Sequence, residues 1–397
     1  MEKRYFELDS LRGLAALSVV FSHYFILFPQ IEATLSSKYS SFWTEIYTFS
    51  PFHIFWAGHE AVILFFVLSG FVLSLPYYKH QDIAYFSFII KRICRVYIPY
   101  LIVLIFCVFI KINFINLDFQ GLSLWANAYK SSGLPSVSII EHLTLVNTIR
   151  YQYINPVIWS LVHEMRISLI FPFVMLFVRK WNWKVSLCIA MTLSVVALLN
   201  IAGANKIVQY NLEARSYLLS LHYVLFFVIG ALLAKYRQKL VDIVDNLQYK
   251  TKIILLCSSI FLYAIKWILF GLLRQPILLK FDTPYDYFTA IGVAIIIILS
   301  LSSNLMSKIL KSKAVNFLGK ISYSLYLIHF ITLFLFLNFL YGIIPMWLLL
   351  SLHLISTLLL SNISYNFIEV PSIKLGRMLI EKIIPQKNIL QNIEIKK

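Results

Sequence analysis

The sequence predicts an all-α fold: a polytopic membrane helix bundle of about ten transmembrane helices with both termini cytoplasmic. Three observations carry that prediction. Of 397 residues, 60% are hydrophobic and only 13% charged, whereas soluble globular chains run near 45–50% apolar and about 25% charged. That composition excludes a string of soluble domains, a disordered chain and a collagen-like repeat. Apolar runs of about 20 residues, the length that spans a bilayer core of about 30 Å, recur ten times. Finally, Lys and Arg alternate in density from one connection to the next, as the positive-inside rule requires of a chain that crosses back and forth.

The runs lie at 11–29, 60–78, 93–112, 157–178, 184–202, 217–234, 251–272, 286–303, 319–340 and 344–367. The first follows a charged start (Glu2, Lys3, Arg4), as a secretory signal would. It contains Arg12 and His23 and lacks a small-residue cleavage site, so it is expected to stay as a helix. Two outer connections are long, 30–59 and 113–156. The first holds Phe42, Trp43, Tyr47, Phe52, Phe55 and Trp56, which suits a belt at the membrane surface, or alternatively a platform for a sugar ring. Residues 1–370 read as one transmembrane domain and 371–397 as a short cytoplasmic tail. There is no Gly/Ser linker, repeat or soluble domain, so function is expected in the bundle and its outer loops. The four cysteines, Cys94, Cys107, Cys188 and Cys257, form no CxxC pair and read as small hydrophobes.

Lys and Arg total 35 against 18 acidic residues, a formal charge of +17. Twenty-five of the 35 fall on one set of connections. The opposite set holds Lys38, Lys130, Arg150, Lys206, Arg215, Arg274 and Lys280, while Lys111, Arg166 and Lys266 lie inside or at the edges of runs. The surplus is therefore topological, facing the anionic inner leaflet, and is not a nucleic-acid patch.

Ionisable residues inside a membrane helix cost about 2.5–3.5 kcal/mol on insertion scales, so each is a functional candidate. Arg12 and His23 are 11 positions apart, three turns plus about 20°, and roughly 16 Å of rise. They share one stripe, Arg12 at the cytoplasmic mouth and His23 about two-thirds of the way across. Singly, Arg12 is explained as a topology anchor and His23 as a packed helix contact. Arg92 and Arg95, at i and i+3 beside Lys91, have the spacing to clamp phosphate oxygens, or serve as topology and lipid contacts. In the run Asn155–Arg166, Ser160 and Glu164 continue to Ser168 along one polar face. Glu164 is a candidate general base, a partner for His23, or half of an interhelical ion pair. In the ninth run Ser322, Tyr326 and His329 share a face, for which a structural hydrogen-bond network is the alternative.

Five stretches together resemble the acyltransferase-3 family of integral membrane acyltransferases, over nearly the whole chain. They are Leu8–Ala16 followed by His23, Phe65–Phe71 with Ser69, the RxxR of Arg92 and Arg95, Trp159-Ser160-Leu161 with Glu164, and Ile321–His329. The resemblance implies an O-acetyltransferase-type enzyme moving an acyl group, most often acetyl, from cytoplasmic acyl-CoA to a hydroxyl of an extracytoplasmic glycan or lipid-linked saccharide such as O-antigen or capsule. The family histidine maps onto His23, its basic partner onto Arg12 and the RxxR motif onto Arg92 and Arg95; His23 and Glu164 are expected as the catalytic pair, Glu164 orienting His23 or raising its basicity, with Arg12, Arg92 and Arg95 at acyl-CoA. Ser160, Ser69, Tyr326 and His329 are expected on the acceptor side or in support. Two departures stand out: where members often carry a second acidic residue and a tyrosine, this chain has Met165 and Ser168. Many members also carry a C-terminal esterase-like SGNH domain, which this sequence is expected to lack.

The expected mechanism brings acetyl-CoA, as co-substrate and without a metal, from the cytoplasm to Arg12, Arg92 and Arg95. His23 then acts as general base on the acceptor, or carries the acyl group as acyl-imidazole. The expected location is the inner (plasma) membrane, as a multi-pass protein. The rival from another class is a transporter or flippase for a lipid-linked sugar, against which the sequence shows no corresponding pair of Gly/Pro-broken helices.

Overall fold

The computed structural model describes residues 5–35, 41–79, 84–115, 119–131, 133–204, 211–275, 278 and 282–383. Eight of the cations that enter the expected orientation, Lys3, Arg4, Lys38, Lys206, Lys280, Lys387, Lys396 and Lys397, lie outside the described residues. Among the described residues the chain is helical, and the sole β interaction is an isolated bridge between Tyr341 and Ile344.

Each apolar run coincides with a long helix: α1 (Phe6–Phe25), α2 (Gly58–Lys79), α3 (Tyr85–Phe114), α4 (Ile158–Lys180), α5 (Trp183–Leu199), α6 (Leu212–Asp245), α7 (Tyr249–Tyr263), α8 (Asp286–Ser302), α9 (Lys313–Leu340) and α10 (Met346–Lys382). Among the described residues, seven helices are long and apolar enough to cross a membrane, or nine if two bent pairs each count as one crossing. The bent pairs are α7 with Ile265–Leu273, at 70°, and α8 with Asn304–Leu310, at 93°. The expected count of ten is thus not reached on length and apolarity, because α1 carries Glu7, Asp9 and Arg12 in its first two turns. The first part of the expected tail, up to Lys382, continues α10 as helix, and Gly376 packs against Cys94 of α3.

Glycine brings helices together where the site is built. A Cβ on Gly13 of α1 would fall 2.4 Å from Gly319 N, and one on Gly319 of α9 would fall 2.6 Å from Asp9 O. The two backbones therefore touch, as small residues permit in membrane bundles. The helices run parallel: Ser10 near the start of α1 donates to Leu310 O, just before α9, while His23 near the far end of α1 meets His329 further along α9. Gly70 of α2 and Gly230 of α6 make a similar contact, each Cβ meeting the opposite carbonyl at about 2 Å.

The outer connections fold as short helices. In 30–59 these are Pro29–Leu35, Phe42–Phe49 and Pro51–Trp56. Phe42, Trp43, Tyr47, Phe52 and Phe55 are exposed there, whereas Trp56 is buried, stacked on Phe25 at 4.9 Å. In 113–156, Leu124–Ser131 carries Trp125 to the end of α1.

Candidate active site

The site is a polar string through the bundle interior. At the end of α1 that holds Arg12, Arg12 Nη2 donates to Ser69 Oγ of α2 at 3.2 Å, and Ser69 Oγ donates to Glu164 Oε1 of α4 at 3.2 Å. Arg92 Nη2 donates to the same carboxylate oxygen at 2.8 Å and to Ser168 Oγ at 2.9 Å. A carboxylate with an ion pair in an apolar bundle is stabilised against the cost of its charge, which explains Glu164 in mid-helix. Of the three expected fates of Glu164, the interhelical ion pair is seen directly, with Arg92 of α3.

A π-helical turn at Ile93–Tyr97 separates the two arginines of the RxxR pair. Arg92 is buried and committed to Glu164, whereas Arg95 is exposed, with no hydrogen bond among the described residues. The extra residue in a π turn rotates the downstream part of the helix relative to a regular α-helix. Arg92 and Arg95 therefore differ in availability: Arg95 is the accessible cation and Arg92 the buried, paired one. Both lie within electrostatic reach of Arg12, and Glu369 of α10, which accepts from Ser324 Oγ at 3.1 Å, lies within reach of Arg12 and Arg95.

Further along, Ser160 and Tyr326 meet at 2.7 Å, with the Tyr326 hydroxyl donating to Val157 O at 2.9 Å. Tyr326 lies against His329, ring centroids 6.0 Å apart. Ser322 Oγ bonds back to Gly319 O of its own helix at 3.0 Å, its one hydrogen bond among the described residues.

His23 has His329 as its neighbour, Nδ1 to Nε2 at 3.3 Å. The hydrogen bonds fix the neutral tautomers. His329 Nδ1 faces Leu325 O at 3.0 Å, so it carries the proton and its Nε2 is bare. His23 Nδ1 faces two acceptors, Val19 O at 2.8 Å and that bare nitrogen, so it too is protonated. The lone pair of His23 is therefore left on Nε2, which makes no hydrogen bond among the described residues. Trp125 and Phe330 pack against the ring at 5.6 and 5.5 Å.

Behind the pair stands a clamp that periodicity does not single out. His353 Nε2 faces His329 O at 3.2 Å, Thr332 Oγ1 at 3.0 Å and Thr357 Oγ1 at 2.9 Å. Facing a carbonyl, it must carry the proton, so Nδ1 accepts from the Tyr24 hydroxyl, at 2.5 Å. Tyr24 adjoins His23, and His353 thus ties α1 to α9 through side chains on both. Its sequence signal is a histidine inside an apolar run, the same feature that marks His23 and His329.

A helix bundle that threads guanidinium, carboxylate and imidazole groups along one interior path has the makings of an integral membrane enzyme. The chain matches the Acyltransferase domain family (Acyl_transf_3) over residues 5–365 and belongs to it, as a multi-pass membrane protein. Among characterised relatives it is similar to O-acetyltransferase OatA of Staphylococcus aureus strain NCTC 8325 / PS 47, 26% identical over 341 residues, covering 80% of this chain and 53% of the relative. OatA of strain COL matches to the same extent. The chain thus spans about half the length of the curated relatives it matches. No solved structure matches it.

Proposed function

We propose that this protein transfers an acyl group, acetyl in the first instance, from cytoplasmic acyl-CoA to a hydroxyl of an extracytoplasmic glycan or lipid-linked saccharide. In this reading the ten helices are ten crossings of the plasma membrane, with both termini inside. The observation that carries it is the bare Nε2 of His23, near the far end of the helix whose second turn holds Arg12. Membership of an acyltransferase family and the name O-acetyltransferase borne by the S. aureus relatives support the reaction class and the acetyl group.

CoA phosphates meet Arg95, the exposed cation, with Arg12 and Arg92 adding field from behind. An extended pantetheine arm, on the order of 15–20 Å, matches the roughly 16 Å of rise from Arg12 to His23. His23 Nε2 takes the proton of the acceptor hydroxyl as its oxygen attacks the thioester carbonyl. The carbon–sulfur bond breaks, and the proton passes from the imidazolium to the leaving thiolate, giving the ester and free CoA. His329 Nε2 accepts the His23 Nδ1–H throughout and favours the positive charge on that ring. Glu164 holds Arg92 and, through Ser69, Arg12. Tyr326 and Ser160 line the route between.

The test is His23→Ala in the native host, with surface glycans read by mass spectrometry. Loss of an acyl group with normal glycan export is the expected result. Lost export with acylation intact would overturn the reading in favour of a transporter.

A further inference from the structure

A second buried relay lies beside the first. Asp286, at the start of α8, is 1% exposed and holds two histidines: His59 Nε2 on Oδ1 at 2.7 Å and His222 Nε2 on Oδ2 at 3.2 Å. Each bond places a proton on Nε2, since a carboxylate only accepts. His222 Nδ1 is then free to accept from Ser194 Oγ, at 2.6 Å, and Ser194 meets the Tyr287 hydroxyl at 2.8 Å. His59 Nδ1 makes no hydrogen bond among the described residues, and its side chain is 24% exposed beside the buried Asp286 and His222.

The His59 ring is held flat on Trp159, at 5.9 Å with 7° between planes, so the carboxylate and the indole fix its direction. Trp159 precedes Ser160, the partner of Tyr326. Gly58 precedes His59 and packs on Ser22, which precedes His23: a Cβ on Gly58 would fall 2.5 Å from Ser22 Oγ. With successive Cα atoms about 3.8 Å apart, the Cα atoms of His23 and His59 are separated by about 14 Å at most.

We infer that His59, oriented by Asp286 and Trp159, is an acceptor-binding residue whose Nδ1 hydrogen-bonds a hydroxyl of the saccharide while a neighbouring hydroxyl is presented to His23. The inference rests on the acyl-transfer reading. Hydroxyl recognition suits the site because a fixed, singly open imidazole edge discriminates by hydrogen bond, and a ligand lacking that hydroxyl leaves it unpaired.

The experiment compares His59→Ala, His59→Gln and His23→Ala with wild type in host cells lacking the chain. It measures the O-acetyl content of surface glycan and, on purified protein, the Kd for CoA. His59→Ala is expected to lower glycan acetyl by at least about tenfold, with Kd for CoA within about twofold of wild type, and His59→Gln to recover part of the loss. Wild-type acetylation in His59→Ala overturns the inference alone, as does a CoA affinity that falls in parallel with acetylation. Wild type and His23→Ala giving equal glycan acetyl overturns the acyl-transfer reading and this inference with it.

Discussion

Gly13 and Gly319 touch across two parallel helices, and ten residues further along each the imidazoles of His23 and His329 meet at 3.3 Å. Equal offsets on parallel helices climb by equal amounts, about 15 Å here, so the backbone contact at one level fixes the side-chain contact at the next. Gly13→Ala or Gly319→Ala must push the helices apart, since no flexible side chain is available to yield. Each is expected to cost about 1–3 kcal/mol of stability and to lower acyl transfer more steeply than that loss explains. Thermal unfolding in detergent, read beside activity at a temperature where the variants remain folded, checks both parts.

His329 should matter through the hydrogen bond it accepts from His23 Nδ1, which favours positive charge on the His23 ring. His329→Ala removes the acceptor that shares the His23 Nδ1–H, and a loss of about 10²-fold in turnover is expected, the low end for impaired general base catalysis. His329→Gln, whose amide oxygen can accept the same proton, should retain more. Equal losses in the two variants, with CoA affinity unchanged, would rule out this acceptor role.

The two arginines of the RxxR pair should separate cleanly. Arg92→Ala strands Glu164 in the bundle and is expected to destabilise the protein by about 3–5 kcal/mol, the range for breaking a buried pair, with Arg92→Ala/Glu164→Ala less unstable than the single change. Arg95→Ala should leave the unfolding temperature near wild type and weaken CoA binding. Calorimetry of CoA binding beside thermal unfolding of all three variants decides it.

Acid should loosen the outer connections first. His53 and His142 are buried in the segments Pro51–Trp56 and Ser136–Thr144, and burial lowers both imidazoles below their ordinary value of 6.5. A lowered folded-state pKa means that the unfolded chain binds more protons. The stabilisation is therefore complete above pH 6.5 and is lost as pH falls below it. Hydrogen exchange at pH 7.5 and 5.5 should show these two segments gaining exchange at the lower pH, after correction for the intrinsic rate, before the helix ends facing them.

Hydropathy locates every long helix, because apolar length is a local property of sequence. It overstates the crossings that length and apolarity alone support, because the bends after Tyr263 and Ser302 and the charges at the start of α1 interrupt what a window averages. Helical arithmetic places Arg12 and His23 on one stripe, and both join interior polar contacts. It cannot say which helix faces which. Glu164 is therefore a reasonable partner for His23 on sequence grounds, and the structure gives that place to His329, 306 positions away. A signal is present in the equal Gly-to-His spacing of α1 and α9, readable once the helices are known to be parallel. The Tyr24–His353 clamp and the His59–Asp286–His222 relay leave no such trace, since each joins single residues on separate helices.

The same 306-residue separation bears on biogenesis. The histidine pair joins the first long helix to the ninth, so a chain emerging from the ribosome holds an unfinished site until almost all of it has been inserted. The intervening helices must wait in the bilayer without sealing the groove that α9 will enter. Expressed as two pieces divided between α8 and α9, the protein should be inert in either half and regain activity when both are made together, complementation in the membrane being the measure of how completely glycine-lined surfaces guide late assembly.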